Sequence, residues 1–183
     1  MPRLFYGLEI PPEIKDRLLK VGSAVGGAQW QSAEQMHITL LFLGAVDERG
    51  LESVVSAARA IRPGSFELDV EGLGCFGTPQ RPKYLWAGIR PEAPVAALRE
   101  ALVQEMGSLG PEPERRAFRP HITLARFKKQ AGSLQGLLAE QGRWDFGQFP
   151  VTEFVLYDSK PGPTGSVYTV IERFSLQDRF CAK

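Results

Sequence analysis

The spacing of hydrophobic residues changes repeatedly along this chain, and each change predicts an element. Arg3 to Ile10 predicts a β-strand, closed by Pro11-Pro12. Ile14, Leu18 and Val21 then recur at helical spacing. The helix they predict opens at Pro12 or Glu13, residue types suited to a first turn, and ends at Gly26-Gly27. Met36 to Leu43 predicts a second strand, stopped by Gly44. Asp47 is placed to cap a helix running to about Ala60, with Leu51, Val54, Val55 and Ala58 on one face. Arg62-Pro63-Gly64 breaks it. Phe66 to Val70 and Lys83 to Arg90 predict strands around a turn-rich loop from Gly72 to Pro79.

From Leu85 the plan restarts. Leu85-Trp86-Ala87-Gly88-Ile89-Arg90-Pro91 echoes Leu4 to Pro11, with a mid-strand glycine and a closing proline in both. Leu98, Leu102 and Met106 lie in register on a helix expected over Val95 to Leu109, followed by a loop through Gly110 to Glu114. A strand then starts at His121 and ends near Phe127, and a short helix is expected over about Ser133 to Glu140. Phe149 to Tyr157 and Val167 to Leu176 predict the last strands, joined by an irregular segment from Ser159 to Gly165. The order strand, helix, strand, helix, strand pair thus occurs twice, about 1–81 and 82–183, a period much longer than that of solenoid repeats. Two such halves most simply make one domain of two lobes about a pseudo-twofold axis.

The repeat includes an identical tetrapeptide. His37-Ile38-Thr39-Leu40 recurs as His121-Ile122-Thr123-Leu124, and these hold both histidines of the chain. Alternation on a strand sends His and Thr to one face and Ile and Leu to the other. Two strands can then anchor in a core by Ile and Leu and present two imidazoles and two hydroxyls to a common groove. A lone His-x-Thr is ordinarily a structural pair; two copies that use every histidine point to chemistry. With an ordinary pKa of ~6.5, imidazole can serve as acid or base near neutrality.

Composition narrows the chemistry. The chain has 183 residues, 43% hydrophobic and 23% charged, as in an ordinary globule. A formal net charge of +1 excludes a strongly basic non-specific nucleic-acid binder, so any such contact should be a local basic cleft. Cys75 and Cys181 lack metal-ligand spacing and fit a reducing cytoplasm. No apolar run is long enough to span a bilayer. Neither His-x-Thr supplies a third ligand for zinc, and neither Ser159 nor Cys75 sits in a nucleophile elbow. In-line attack at phosphorus fits better. One imidazole deprotonates the attacking oxygen, the other protonates the leaving oxygen, and the threonines hydrogen-bond non-bridging oxygens. No metal or other cofactor is called for. Phe42 holds in the first half the place that Arg126 holds in the second, and could stack a base or belong to the core. Strict alternation turns Arg126 away from the groove unless the strand bulges or the long side chain curls back. Arg119, Lys83 and Lys160 could be solvated, and Tyr168, Tyr6 and Trp86 could be packing residues.

His37 to Gly44 and Arg119 to Arg126 resemble the paired His-x-Thr motifs of the 2H phosphoesterase superfamily. Across its length the chain is similar to the bacterial RNA 2′,3′-cyclic phosphodiesterases, long called 2′-5′ RNA ligases. The resemblance implies an α+β fold: two pseudo-symmetric lobes, each a mainly antiparallel sheet with helices outside, and a groove between. It implies opening of an RNA terminal 2′,3′-cyclic phosphate to a 2′-phosphate, and 2′-5′ joining by reversal. His37 would be the proton donor, His121 the acceptor, and Thr39 and Thr123 would hold the phosphate. Arg126, five residues after the second motif histidine, matches a phosphate-binding arginine of the family. Phe42, Tyr168 and Arg119 are further candidates to bind substrate. The partners implied are RNA 3′ ends or nucleotides with a 2′,3′-cyclic phosphate, with no membrane and no obligate protein partner. Two alternatives keep the motifs: a phosphodiesterase of small cyclic phosphates or 2′-5′ oligoadenylates, and a vestigial nucleotide- or RNA-binding module.

Overall fold

The structure, a computed structural model, describes residues 1–22, 25–107, 117–128 and 130–178. The strands are β1 (Arg3–Glu9), β2 (Ala28–Trp30), β3 (His37–Ala45), β4 (Phe66–Thr78), β5 (Arg81–Arg90), β6 (His121–Phe127), β7 (Asp145–Val151), β8 (Glu153–Gly162) and β9 (Gly165–Ser175). The helices are α1 (Pro12–Leu18), α2 (Glu48–Ala60), α3 (Ala93–Met106) and α4 (Gln135–Gln141), with a 3₁₀ turn at Ala33–Gln35. The expected end of the third helix at Leu109, the loop from Gly110 to Glu114, and Cys181 lie outside the described residues.

The result is an α+β fold built on one antiparallel sheet in the order β7-β4-β5-β6-β3-β1-β8-β9, with β2 paired to β6. A lobe of β7, β4, β5, β6 and β2 meets a lobe of β3, β1, β8 and β9 where β3 touches β6. Each lobe mixes strands from both halves of the sequence: β8 and β9 join β1 and β3, while β4 joins β5 and β6. The lobes therefore interlock through the chain itself.

Alternation decides which sheet face is covered. Leu4, Tyr6 and Leu8 of β1 enter a core shared with Ile38, Leu40, Ile122 and Leu124, closed by Ile14 of α1, Val54 of α2, Leu98 of α3 and Leu137 of α4. The intervening Phe5 points to the opposite face and joins Val155 and Tyr157 in a smaller cluster. Asp47 caps α2 as expected, accepting a 2.7 Å hydrogen bond from the Gly50 amide. The helix entering at Pro12 ends at Leu18, sooner than Gly26-Gly27, although Val21 is still buried.

Three expectations of irregular or continuous structure are overturned. Gly72 to Pro79 is mostly strand, since β4 runs through to Thr78. Its glycines mark bulges: the register against β5 shifts between Val70 and Leu73 and again between Phe76 and Gly77. Gly72 and Gly77 take φ of 76° and 87° there, a region open to glycine at little cost. Ser159 to Gly165 is the end of a hairpin, with Pro161 paired to Ser166 and Gly162 to Gly165. Pro161 is tolerated because β1 pairs with β8 only as far as Ser159, leaving that edge of Pro161 without a strand to receive an N–H. Phe149 to Tyr157, read as one strand, divides at Thr152 into β7 and β8, which sit in different lobes. β2 was not expected; three residues are too few to show a period.

Candidate active site

β3 and β6 pair antiparallel through a single bridge, Ile38 with Ile122. These are equivalent positions of the two tetrapeptides, so a local twofold axis passes between them. Extending that register by one residue each way sets His37 against Thr123 and Thr39 against His121. The isoleucines are fully buried on the helix side, and all four polar side chains line one cleft of roughly 710 Å³ on the other.

The backbone orients both rings in the same way. His37 Nδ1 lies 2.8 Å from the Gln35 carbonyl oxygen, and His121 Nδ1 lies 2.7 Å from that of Arg119. A carbonyl only accepts, so each Nδ1 carries the hydrogen, and Nε2 is the nitrogen left for chemistry. On His37, Nε2 is 2.9 Å from Thr39 Oγ1. While the ring is neutral, the threonine hydroxyl is the donor in that contact.

The surroundings of the two rings differ. His37 packs against Phe5, with ring centroids 5.0 Å apart, and edge-to-face against Tyr168 at 4.9 Å. Burial there pulls its pKa down to about 4, and the nearby His121, Arg126 and Lys15 oppose a further positive charge, while the Gln35 carbonyl partly offsets them. His121 packs edge-to-face against Phe76 at 5.0 Å. Burial also holds its pKa below the ordinary value, partly offset by the Arg119 carbonyl. Both rings are therefore neutral at pH 7.

Arg126 faces the cleft, and the reason is a bulge. β5 pairs Leu85 with Ala125 and then Trp86 with Thr123, so Leu124 is passed over and the alternation slips by one. β3 makes the same slip against β1, where Tyr6 pairs with Leu41 and Gly7 with Thr39, passing over Leu40. Phe42 is thereby turned to the cleft as well, 58% exposed on its rim and 5.6 Å from the Phe5 ring. Arg126 lies over the Tyr84 ring, its guanidinium carbon 5.7 Å from the centroid. Arg3 adds a second guanidinium, and no carboxylate is found among the described residues of the cleft wall. The site thus favours an anion.

The remaining candidates divide. Tyr168 lines the cleft beside His37. Arg119 is exposed and borders an adjoining hollow, and its backbone carbonyl reaches the site. Tyr6 is a core residue, its hydroxyl donating to the Val54 carbonyl at 2.6 Å, and burial raises its pKa. Lys83 is exposed, and Lys160 pairs with Asp158 at 3.6 Å. Gln35 was missed. Its carbonyl holds His37, and its side-chain amide donates to the Ser166 carbonyl at 3.1 Å, joining the β8–β9 hairpin to the start of β3. Phe76 and Tyr84 were also missed, because a loop was expected at the first and nothing in the local pattern marked the second.

The chain is similar to known proteins over most of its length. Residues 11–163 match the family model of the 2′-5′ RNA ligase superfamily. The chain belongs to that superfamily. A Thermus thermophilus RNA 2′,3′-cyclic phosphodiesterase is 33% identical over 96% of this chain and 90% of its own. One from Thermotoga maritima is 32% identical over 92% of each. The crystal structure of E. coli LigT complexed with 3′-AMP superposes with a TM-score of 0.80 at 27% identity, covering 96% of this chain and 98% of that one.

Proposed function

We propose that this member of the 2′-5′ RNA ligase superfamily opens the terminal 2′,3′-cyclic phosphate of RNA to leave a 2′-phosphate. The observation that carries the reading is the disposition of two His-Thr pairs about the Ile38–Ile122 bridge, in a cleft with arginines on its wall. The names of the relatives point to the same substrate class.

In this reading the phosphate lies between the imidazoles. His121 accepts a proton from water through Nε2 as the water oxygen attacks phosphorus. The P–O3′ bond breaks on the far side, and His37 gives its Nε2 proton to the departing oxygen. Thr39 and Thr123 donate hydrogen bonds to non-bridging oxygens, and Arg126 balances their charge. Phe42 and Tyr168 offer faces to the nucleoside. The protein's own imidazoles and hydroxyls supply each proton and hydrogen bond that these steps use. His37 must be protonated before it can act as an acid, and the anion supplies the reason to become so. By the same in-line displacement, a 5′-hydroxyl in place of water yields a 2′-5′ linkage and a free 3′-hydroxyl.

The test is an RNA with a defined 2′,3′-cyclic end, incubated with the protein in chelator, with the product isomer identified. A 2′-phosphate is expected, with rates lowered by about 10²–10⁴ in His37→Ala and in His121→Ala. A 3′-phosphate product, or full activity in either variant, overturns the reading.

A further inference from the structure

Gln31 lines the cleft but has no part in the proton transfers or in the phosphate contacts of the threonines. It is only 9% exposed. Strand pairing sets its direction. β2 pairs Gln29 with Arg126 and Trp30 with Ala125, and the backbone N–H of Gln31 extends this ladder to the Leu124 carbonyl at 2.8 Å. Paired residues share a face of the sheet, and every second residue returns to it. Gln29 therefore lies on the cleft side with Arg126, and so does Gln31, two residues on. Trp30 turns the other way, its ring 4.0 Å from where a Cβ on Gly22 would stand.

A side-chain amide so deeply buried is normally paired. The other glutamine of the cleft wall obeys that rule. Gln35 accepts from the Ser32 backbone N–H through Oε1 at 3.0 Å and donates to the Ser166 carbonyl through Nε2 at 3.1 Å. The Gln31 side chain has no hydrogen-bond partner among the described residues. Its amide is not sealed in the interior either, as the Gln141 amide oxygen is. What remains open of it faces the cleft.

We infer that Gln31 binds the Watson–Crick edge of the terminal nucleobase. The inference rests on the cyclic-phosphate reading and adds to it how the base is held. A primary amide offers a donor beside an acceptor. A phosphate only accepts, and two threonine hydroxyls and Arg126 already serve it. A terminal nucleotide closed as a 2′,3′-cyclic phosphate has both ribose hydroxyls esterified, so its base is the part that both donates and accepts. The position suits this, because Gln31 is tied to Leu124, the neighbour of Thr123, and so stands beside the phosphate. Each base shows a donor next to an acceptor on that edge: N6–H and N1 of adenine, N4–H and N3 of cytosine, N1–H and O6 of guanine, N3–H and O4 of uracil. Turning the amide over matches either order, so Gln31 holds all four bases without a strong preference. A carboxylate there could only accept, and guanine alone offers it two donors, N1–H and N2–H.

The experiment gives the full chain short RNAs that differ only in the last nucleotide, each closed as a 2′,3′-cyclic phosphate: the four bases, and a 1-deoxyribose end that carries no base. Gln31→Leu keeps the bulk of the side chain and removes the amide. It should raise KM about tenfold on all four bases with kcat little changed, and leave the base-free end unaffected. Gln31→Glu should raise the ratio of kcat/KM for guanine over that for adenine by about tenfold, whatever the added charge does to both. An equal loss on the base-free end in Gln31→Leu, which a contact to phosphate or a disturbed fold would give, overturns the inference. So does an unchanged KM in that variant, or an unchanged guanine-to-adenine ratio in Gln31→Glu. A wild-type protein that hydrolyses none of the five ends instead removes the catalytic reading, and the base contact with it.

Discussion

An anion in the cleft should charge His37. Burial and the neighbouring cations hold this ring's pKa at about 4, so at pH 7 roughly one molecule in a thousand carries the proton that the proposed mechanism requires of His37. A unit negative charge about 4 Å from the ring, at an effective dielectric of about 20, favours imidazolium by about 4 kcal/mol, or about three pH units. Binding should therefore lift His37 from about 4 to about 7. By linkage, anion affinity should be highest below pH 4, fall roughly tenfold per pH unit between 4 and 7, and level off above. Sulfate is a suitable probe because its own charge does not change in that window. The chain has two histidines, so their ring proton resonances can be followed by NMR with and without sulfate, and His121→Gln assigns them. Calorimetry in buffers of different ionisation enthalpy should show proton uptake at pH 5.5. If the His37 ring titrates at the same pH with saturating sulfate as without it, substrate charge does not prime the acid, and the reasoning fails.

The same depressed pKa makes His37 a source of acid sensitivity. Its neutral form is held in the fold while the unfolded chain takes up protons below ~6.5, so stability is full above that pH and is lost as pH falls towards 4, by up to about 3 kcal/mol. His37→Gln should flatten that part of the curve of unfolding free energy against pH, and an unchanged curve would contradict it. Thr39→Val keeps shape but removes the hydroxyl that contacts His37; a loss of about 10- to 10³-fold in kcat is expected, with Thr39→Ser largely restoring it. A Cβ at Gly7 would meet the Ile38 carbonyl oxygen at 2.9 Å. Gly7→Ala should cost about 1–3 kcal/mol in denaturant unfolding and also lower kcat, since Ile38 lies between His37 and Thr39. Tyr6→Phe removes the hydroxyl that donates to the Val54 carbonyl, which stays in the α2 backbone ladder, so about 0.5–1.5 kcal/mol of stability should be lost with kcat unchanged.

The chemical core of this site was legible because it depends on short-range rules. Identical tetrapeptides on strands must present His and Thr on one face and Ile and Leu on the other, whatever surrounds them. The repeat further implied that the two faces meet, and the Ile38–Ile122 bridge is where they do. Arg126 shows the limit of that reasoning. Alternation turned it away from the cleft; the bulge that turns it back is a feature of how β6 pairs with β5, and pairing is not written in the spacing of one strand. The glycines from Gly72 to Gly77 illustrate the same limit, because a residue that permits a loop equally permits a bulged strand. The carbonyls that orient the imidazoles, and Phe76 and Trp86 beside His121, come from backbone geometry and from strands distant in sequence. Residue types and local periodicity determined what chemistry this chain could hold. Tertiary packing alone decided how deeply each imidazole is desolvated, and hence which protonation state it starts from, because desolvation depends on every element that closes around the ring.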